Sequence, residues 1–312
     1  MFLTWRPAGW GDLEQGLGIQ PKLWGDALVS NEAAIRGWKQ LLRNPFFASA
    51  VLEYIPSVHG HRMIGLGASV LVSTAFADAE LADPRPDLNS RVIASIHSGK
   101  PVLTTPKEVA NANAGEGVDV LVLYGTWRDE ILGSEERHEV QTLLASSFTE
   151  WHAGYRVRRI IHETTDTPAK EFHQRSLVYR PIAEFPHLGR VIYLMTYESA
   201  KSVPASLGNI LFSYQPPVLG FRKSDRQLLL AALRGATDQG LATELGVTLS
   251  AVKGRWRSIF MRIEEAKPSL VTDVFDHEGR GAQKRHKVLA YVRSHPEELR
   301  PYNRKIKTHA ED

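Results

Sequence analysis

Cysteine is absent from the 312 residues. That excludes disulfides, thiolate metal sites and thiol nucleophiles, and with them redox sensing by cysteine. Also lacking is any apolar run of the roughly 18 residues that a transmembrane helix needs, and no basic segment leads into an apolar one as in a secretory signal. The expectation is a cytoplasmic protein that does not enter a membrane. What is present is ordinary for a globular chain: 43% hydrophobic and 23% charged residues, with length for about two domains.

The net charge of +3 hides an asymmetry. Residues 1–220 carry 20 Lys and Arg against 23 Asp and Glu, whereas 221–263 hold eight basic residues against three acidic and 280–307 nine against two. A mildly acidic front joined to a basic rear suits a sensor joined to a nucleic-acid reader, because only the rear must approach phosphates.

The stretch 224–263 reads as three short helices. Ser224 and Gln227 have the spacing of a capping box, and Leu228, Leu229, Ala232 and Leu233 follow at helical spacing until Gly235. Thr237 or Asp238 caps a second helix carrying Leu241, Ala242 and Leu245, which Gly246 ends. Thr248 caps a third. Its Val252, Trp256, Ile259, Phe260 and Ile263 share an apolar face, while Lys253, Arg255, Arg257 and Arg262 carry positive charge. A basic helix after a glycine turn fits the DNA major groove; the alternative is a plain three-helix bundle with solvated arginines. Trp256 stays open between core and stacking on the DNA backbone.

Gly235, Leu241, Ala242, Leu245, Gly246, Val247, Thr248, Val252, Lys253, Ile259 and Ile263 fall at positions where this stretch resembles the LuxR-type (FixJ/NarL-like) helix-turn-helix regulators. Two residues depart: Gly240 stands where the family has glutamate and Arg255 where it has histidine, and Val-Lys-x-Arg is similar to sigma-factor region 4. The resemblance implies double-stranded DNA as partner; a homodimer is expected because two half-sites multiply discrimination, and the sigma-like wording alone points to contact with RNA polymerase. The resemblance places DNA contacts at Thr248, Ser250, Lys253, Arg255 and Arg257.

The front two thirds read as α/β. Trp5, Trp10, Trp24 and Trp38 are expected in the core or an interface, with the lining of a ligand pocket as the alternative, and a helix runs from Asn31 to Leu42. Arg62–Phe76 reads as one or two buried strands, Ser90–His97 as a helix, Pro101–Thr105 as a short strand and Ala110–Gly117 as a small-residue loop. Val118–Tyr124 is the strongest strand signal. A long helix from Ser134 follows, then a strand over Tyr155–Thr164, a helix over Thr167–Ser176 and a hairpin of Leu177–Phe185 with Arg190–Tyr197. Gly65-Leu66-Gly67 lacks the third glycine of a dinucleotide site. A phosphorelay receiver is excluded too, because Asp119 precedes its strand instead of following it.

The order helix, SGKPV, strand, then VLVLYG and a long helix resembles the GAF/PAS sensor domains, while strand-helix-strand-helix-hairpin from Val118 resembles the back half of an N-acetyltransferase fold. The second resemblance implies a coenzyme A pyrophosphate cradled by a glycine-rich turn before the long helix. Here that turn, Trp127 to Ser134, is acidic and has one glycine. His59, His61, His152, His162, Glu163 and His173 show no recognised metal-ligand spacing, so no metal is expected.

The resulting reading has three parts. Residues 1–215 form an α/β (α+β) sensor-like domain, GAF/PAS-like or N-acetyltransferase-like. Residues 218–267 form an all-α helix-turn-helix domain, reached through Tyr214-Gln215-Pro216-Pro217, and residues 268–312 a basic extension that either clamps phosphates or is a solvated helix and tail. The function expected is a non-enzymatic, one-component transcription regulator controlled by a small-molecule effector or partner, with no catalytic residues and no cofactor. The alternative is an acyl-coenzyme A-dependent N-acetyltransferase-like enzyme with an appended DNA-binding domain, or a sigma-like polymerase adaptor.

Overall fold

A computed structural model describes residues 2–12, 15–16, 19, 31–58, 61–165, 167–176, 178–204, 206–270 and 280–306. Trp24 and His59 lie outside them. The chain divides into two units, one of Met1–Glu108, Glu116–His152 and Val157–Ser213, the other of Val109–Gly115, Ala153–Arg156 and Tyr214–Asp312.

In chain order the elements up to the sheet's last strand are β1 (Phe2–Arg6), α1 (Asn31–Arg43), β2 (Phe47–Val58), β3 (His61–Val72), α2 (Thr74–Ala82), α3 (Leu88–His97), α4 (Pro106–Ala114), β4 (Val118–Trp127), α5 (Ser134–His152), β5 (Val157–Thr164), α6 (Thr167–Ser176), β6 (Arg180–Phe185) and β7 (Arg190–Thr196). Two short helices, α7 (Tyr197–Lys201) and α8 (Leu207–Phe212), close the first unit. The seven strands make one mixed sheet in the order β1-β2-β3-β4-β5-β7-β6. Among the described residues only β4 and β5 pair in parallel. A parallel pair needs a long crossover, which the 19-residue α5 supplies.

β4 is buried along nearly its whole length, because both faces of the sheet are covered there. On one face Trp38, Leu41, Val92, Ile93, Leu121 and Ile161 belong to a single core, with Trp38 edge-on to Phe47 at 5.7 Å and to Tyr124 at 6.5 Å. Helices α1 and α3 touch so closely that a Cβ on Gly37 would lie 2.6 Å from Ile93 Cγ2. A second cluster joins Leu52, Tyr54, Ile64 and Trp127 of the sheet to Val140 of α5.

Several expectations meet the structure with a difference. The Arg62–Phe76 stretch is one strand followed by a helix. Ala110–Gly117, expected as a loop, lies largely in α4. That helix starts with Thr105 and Glu108, whose side chains each take the other's backbone N–H, at 3.3 and 2.7 Å. Asn113 on it accepts from Arg156 N–H and donates to Pro301 O. The Pro101–Thr105 strand reduces to one bridge between Leu103 and Val72. β1 and β2 carry no expected counterpart.

The second unit holds α9 (Lys223–Leu233), α10 (Asp238–Glu244), α11 (Leu249–Ala266) and α12 (Arg280–Ser294). Helix α9 starts one residue before Ser224, and its first turn is closed by the Asp225 carboxylate accepting Arg222 N–H, not by Ser224 and Gln227. Thr237 and Thr248 cap α10 and α11 through the N–H groups of Gly240 and Ala251. Gly235 and Gly246 take the left-handed φ values of +85° and +62° that end the preceding helices.

Helix α12 is no solvated appendage. Its Val288, Tyr291 and Val292, with Leu299 in the turn that follows, share a core with Leu228, Val252 and Ile259. Arg285 holds Asp238 through two bonds of 2.9 and 3.0 Å and lies over Trp256, which is itself core.

Candidate functional site

The first unit holds a partly open cavity of about 320 Å³ with largely apolar walls. It arises from side chains too small to fill the space under α5. Ala48 and Ala50 of β2, Gly67 and Ser69 of β3 and Gly125 of β4 line it, against Leu144 and Phe148 of α5. A Cβ on Gly67 would already press on Leu144 Cδ2 at 3.0 Å. Residues of α6, β7 and α8, among them Phe172, Met195 and Leu211, complete the wall.

Strand alternation places His162 in this wall. Along β5, His162 faces the cavity while Glu163 faces the opposite side, where its carboxylate accepts Asp87 N–H and Leu88 N–H at 2.9 and 2.7 Å and caps α3. His162 Nδ1 lies 2.7 Å from Nε2 of His173 on α6, so one ring nitrogen donates and the other accepts. The His173 ring stacks on Tyr193 at 4.9 Å and meets Tyr179 at 4.2 Å. Burial, reinforced by His173, holds the His162 pKa well below the ordinary histidine value. Burial also pushes the Tyr179 hydroxyl up, so it stays a phenol.

The His162 ring presents its Cε1–Nε2 edge to Gly125, where a Cβ would lie 3.7 Å from Cε1 and 3.9 Å from Nε2. Ser69, 2% exposed, sits at a break in the β3–β4 register: Ala68 and Ser69 pair with Tyr124 and Val122, leaving Leu123 as the extra residue. The Leu123 carbonyl accepts from Asn89 Nδ2 at 2.6 Å. Ser69 Oγ is 3.3 Å from Nε2 of His152, and His152 Nδ1 is 2.7 Å from Phe148 O.

The turn ahead of α5 does not fit a coenzyme A pyrophosphate. Gly133 N–H donates to the Glu136 carboxylate at 2.8 Å, and Glu135 adds a second negative charge to the first turn. Arg137 is committed to Asp129 at 2.6 Å and to Leu132 O at 3.1 Å. A helix N-terminus attracts a phosphate by its N–H groups and partial positive charge. Here a carboxylate of the helix itself takes that place.

The residues expected to contact DNA lie in the second unit, away from these groups in sequence and in unit. Thr248 spends its hydroxyl on the α11 cap; Ser250, Lys253 and Arg257 are exposed and Arg255 is half-buried. Arg262 turns inward to Asp225 at 3.4 Å. Among the histidines considered as metal ligands, His162 and His173 come together, yet among the described residues no group of three or more potential ligands forms. Ser69, Tyr179 and Tyr193 carry no motif. The available signal is the run of small residues at alternating strand positions, Ala48, Ala50, Gly67 and Ser69.

No family model matches the chain, and no curated protein does. Solved structures do. An N-acyl amino acid synthase from uncultured soil microbes is 10% identical, covers 65% of this chain and 96% of its own, and superposes with a TM-score of 0.37. A spermidine/spermine N-acetyltransferase from Vibrio cholerae gives 12%, 62%, 93% and 0.33. An acetyltransferase from Thermus thermophilus gives 14%, 63%, 97% and 0.32.

The matched proteins are acyl- and acetyltransferases, and not the non-enzymatic, DNA-binding transcription regulator expected from the sequence. At TM-scores below 0.5 the likeness carries no substrate, donor or mechanism over to this chain.

Proposed function

We propose that the first unit is an N-acyltransferase-like enzyme that places an apolar acyl group in the cavity and passes it to an amine. The observation that carries the reading is the cavity itself, with a buried imidazole pair in an otherwise largely apolar wall. Its volume is at the lower end of the roughly 300–1,000 Å³ typical of small-ligand sites. The strand-helix-strand-helix-hairpin order from Val118, with β4 and β5 the parallel pair, supports the same fold type.

An amine arrives at neutral pH as an ammonium ion and must lose a proton before its nitrogen can attack a carbonyl. His162 is kept neutral by desolvation, so its lone pair stays available at neutral pH. His173 fixes the orientation of the His162 ring through the 2.7 Å bond. Since the turn before α5 does not fit a pyrophosphate, no step is assigned to coenzyme A.

Each methylene buried contributes about 0.8 kcal/mol, or about fourfold in affinity. Binding of saturated fatty acids should therefore tighten by about fourfold per carbon until the cavity is full, then level off. A calorimetric series from four to sixteen carbons checks this, and affinity independent of chain length would refute the reading.

A further inference from the structure

We propose that Ser69 is a nucleophile that carries the acyl group as an ester, with His152 as its base. The inference rests on the acyltransferase reading of the cavity and adds a covalent step to it.

The geometry begins with the imidazole. His152 is the last residue of α5, and its Nδ1 lies 2.7 Å from the carbonyl oxygen of Phe148, one turn back. A carbonyl only accepts, so in neutral His152 the hydrogen is on Nδ1 and the lone pair is on Nε2. That lone pair faces Ser69 Oγ at 3.3 Å. The hydroxyl must be the donor. Nucleophile, base and a third group that fixes the base's tautomer are the three parts of an activated serine, and the first contact is commonly loose before substrate arrives.

A hydroxyl tying a strand to a helix needs no access to a cavity, but Ser69 lines one. Its neighbours there, Ala50 and Gly67, are the smallest available and leave its approach clear. The register break opposite Ala68 and Ser69 leaves the extra residue, Leu123, on the facing strand β4, and it bends that strand beside Ser69. His152 and Ser69 are each 2% exposed, so water is largely kept from the pair.

The chemistry balances with an acyl ester or thioester as donor. Ser69 Oγ attacks the acyl carbon and its proton moves to His152 Nε2. The bond from carbon to the leaving oxygen or sulfur breaks, and the leaving group takes that proton. In the second half an amine, having given its ammonium proton to the His162–His173 pair, attacks the ester carbon. A C–N bond forms, the nitrogen's surplus proton passes through His152 Nε2 to Ser69 Oγ, and the C–O bond breaks. The products are an amide, free serine and one proton, which the His162–His173 pair releases to solvent; nothing is oxidised or reduced.

The experiment uses the full chain with p-nitrophenyl octanoate. Expected are a burst of p-nitrophenolate approaching one per protein and, after acid quenching, an octanoyl group on the Ser69 peptide by mass spectrometry. Ser69→Ala should abolish both while still binding octanoate within about twofold of wild type, and Ser69→Cys should restore an adduct as a thioester. His152→Ala should slow the burst by about 10²-fold or more, the usual worth of a positioned base. Octanoate binding and amide formation in wild type with no adduct on Ser69, or with Ser69→Ala equally active, would overturn the serine while leaving the cavity's role intact. Absence of octanoate binding in wild type would overturn both.

Discussion

Replacing Gly125 by alanine should separate stability from activity. Gly125 is on β4, opposite Gly67, and its φ is outside the left-handed region, so alanine fits its backbone. The added Cβ would lie 3.7 Å from His162 Cε1 and 3.9 Å from Nε2, ordinary van der Waals contact with nothing closer. A glycine replaced at a compatible position loses unfolded-chain entropy, which stabilises by about 0.4–1 kcal/mol. The same methyl covers the edge from which His162 would accept a proton. Since a positioned base is worth about 10²–10⁴ in rate, covering it should lower amide formation at least tenfold. Urea unfolding and steady-state amide synthesis, run on one preparation, measure the two effects. Full activity would show that this edge of His162 takes no part in the reaction, and a loss of more than about 1 kcal/mol of stability would refute the packing argument. Gly67→Ala is the contrast, because its Cβ must push Leu144 from 3.0 Å.

Two further outcomes follow from buried charge. His162 has a folded pKa well below the unfolded value of 6.5, so below about pH 6.5 the unfolded chain binds the extra proton. Stability should thus be fully present above that pH and fall as pH drops towards the folded pKa. His162→Gln should flatten that slope in urea titrations between pH 7 and 5, and an unchanged slope would count against it. In the second unit, the buried Glu298 carboxylate accepts Val218 N–H and Leu219 N–H at 2.9 to 3.1 Å. Glu298→Ala would strand both donors, at a cost of about 1–3 kcal/mol each. Denaturant unfolding reads the loss, and a change under about 0.5 kcal/mol would mean that water replaces the carboxylate.

Much of the second unit is legible residue by residue. Thr237 and Thr248 cap the helices they precede, Gly235 and Gly246 turn left-handed, and Val252, Ile259 and Ile263 are fully buried. Each depends on neighbours within a turn of helix, where spacing alone sets the contacts. Similar locality makes Val118–Tyr124, the helix from Ser134 and the late hairpin readable. Composition hides α4: Thr105-Pro106-Lys107-Glu108 is a capping box, and it prevails over the low preference of ANANA. β2 is hidden because Ala48, Ser49 and Ala50 are small and Pro56 interrupts an otherwise plain strand.

Function is obscured for a related reason. The basic third helix carries its charges in an obvious local pattern, which suggests DNA, whereas the groups around the cavity carry none.

Sequence by itself determined where several helices start and stop, α10 and α11 among them, because caps, glycines and apolar spacing act over a few residues. Only the tertiary structure decided that Ala50, Gly67 and Gly125 would leave a void under α5, that His162 would meet His173 at a separation of 11 residues, and Ser69 meet His152 across 83. Those meetings depend on which faces of the sheet and helices are pressed together, and long-range packing is not encoded in any short stretch of the chain.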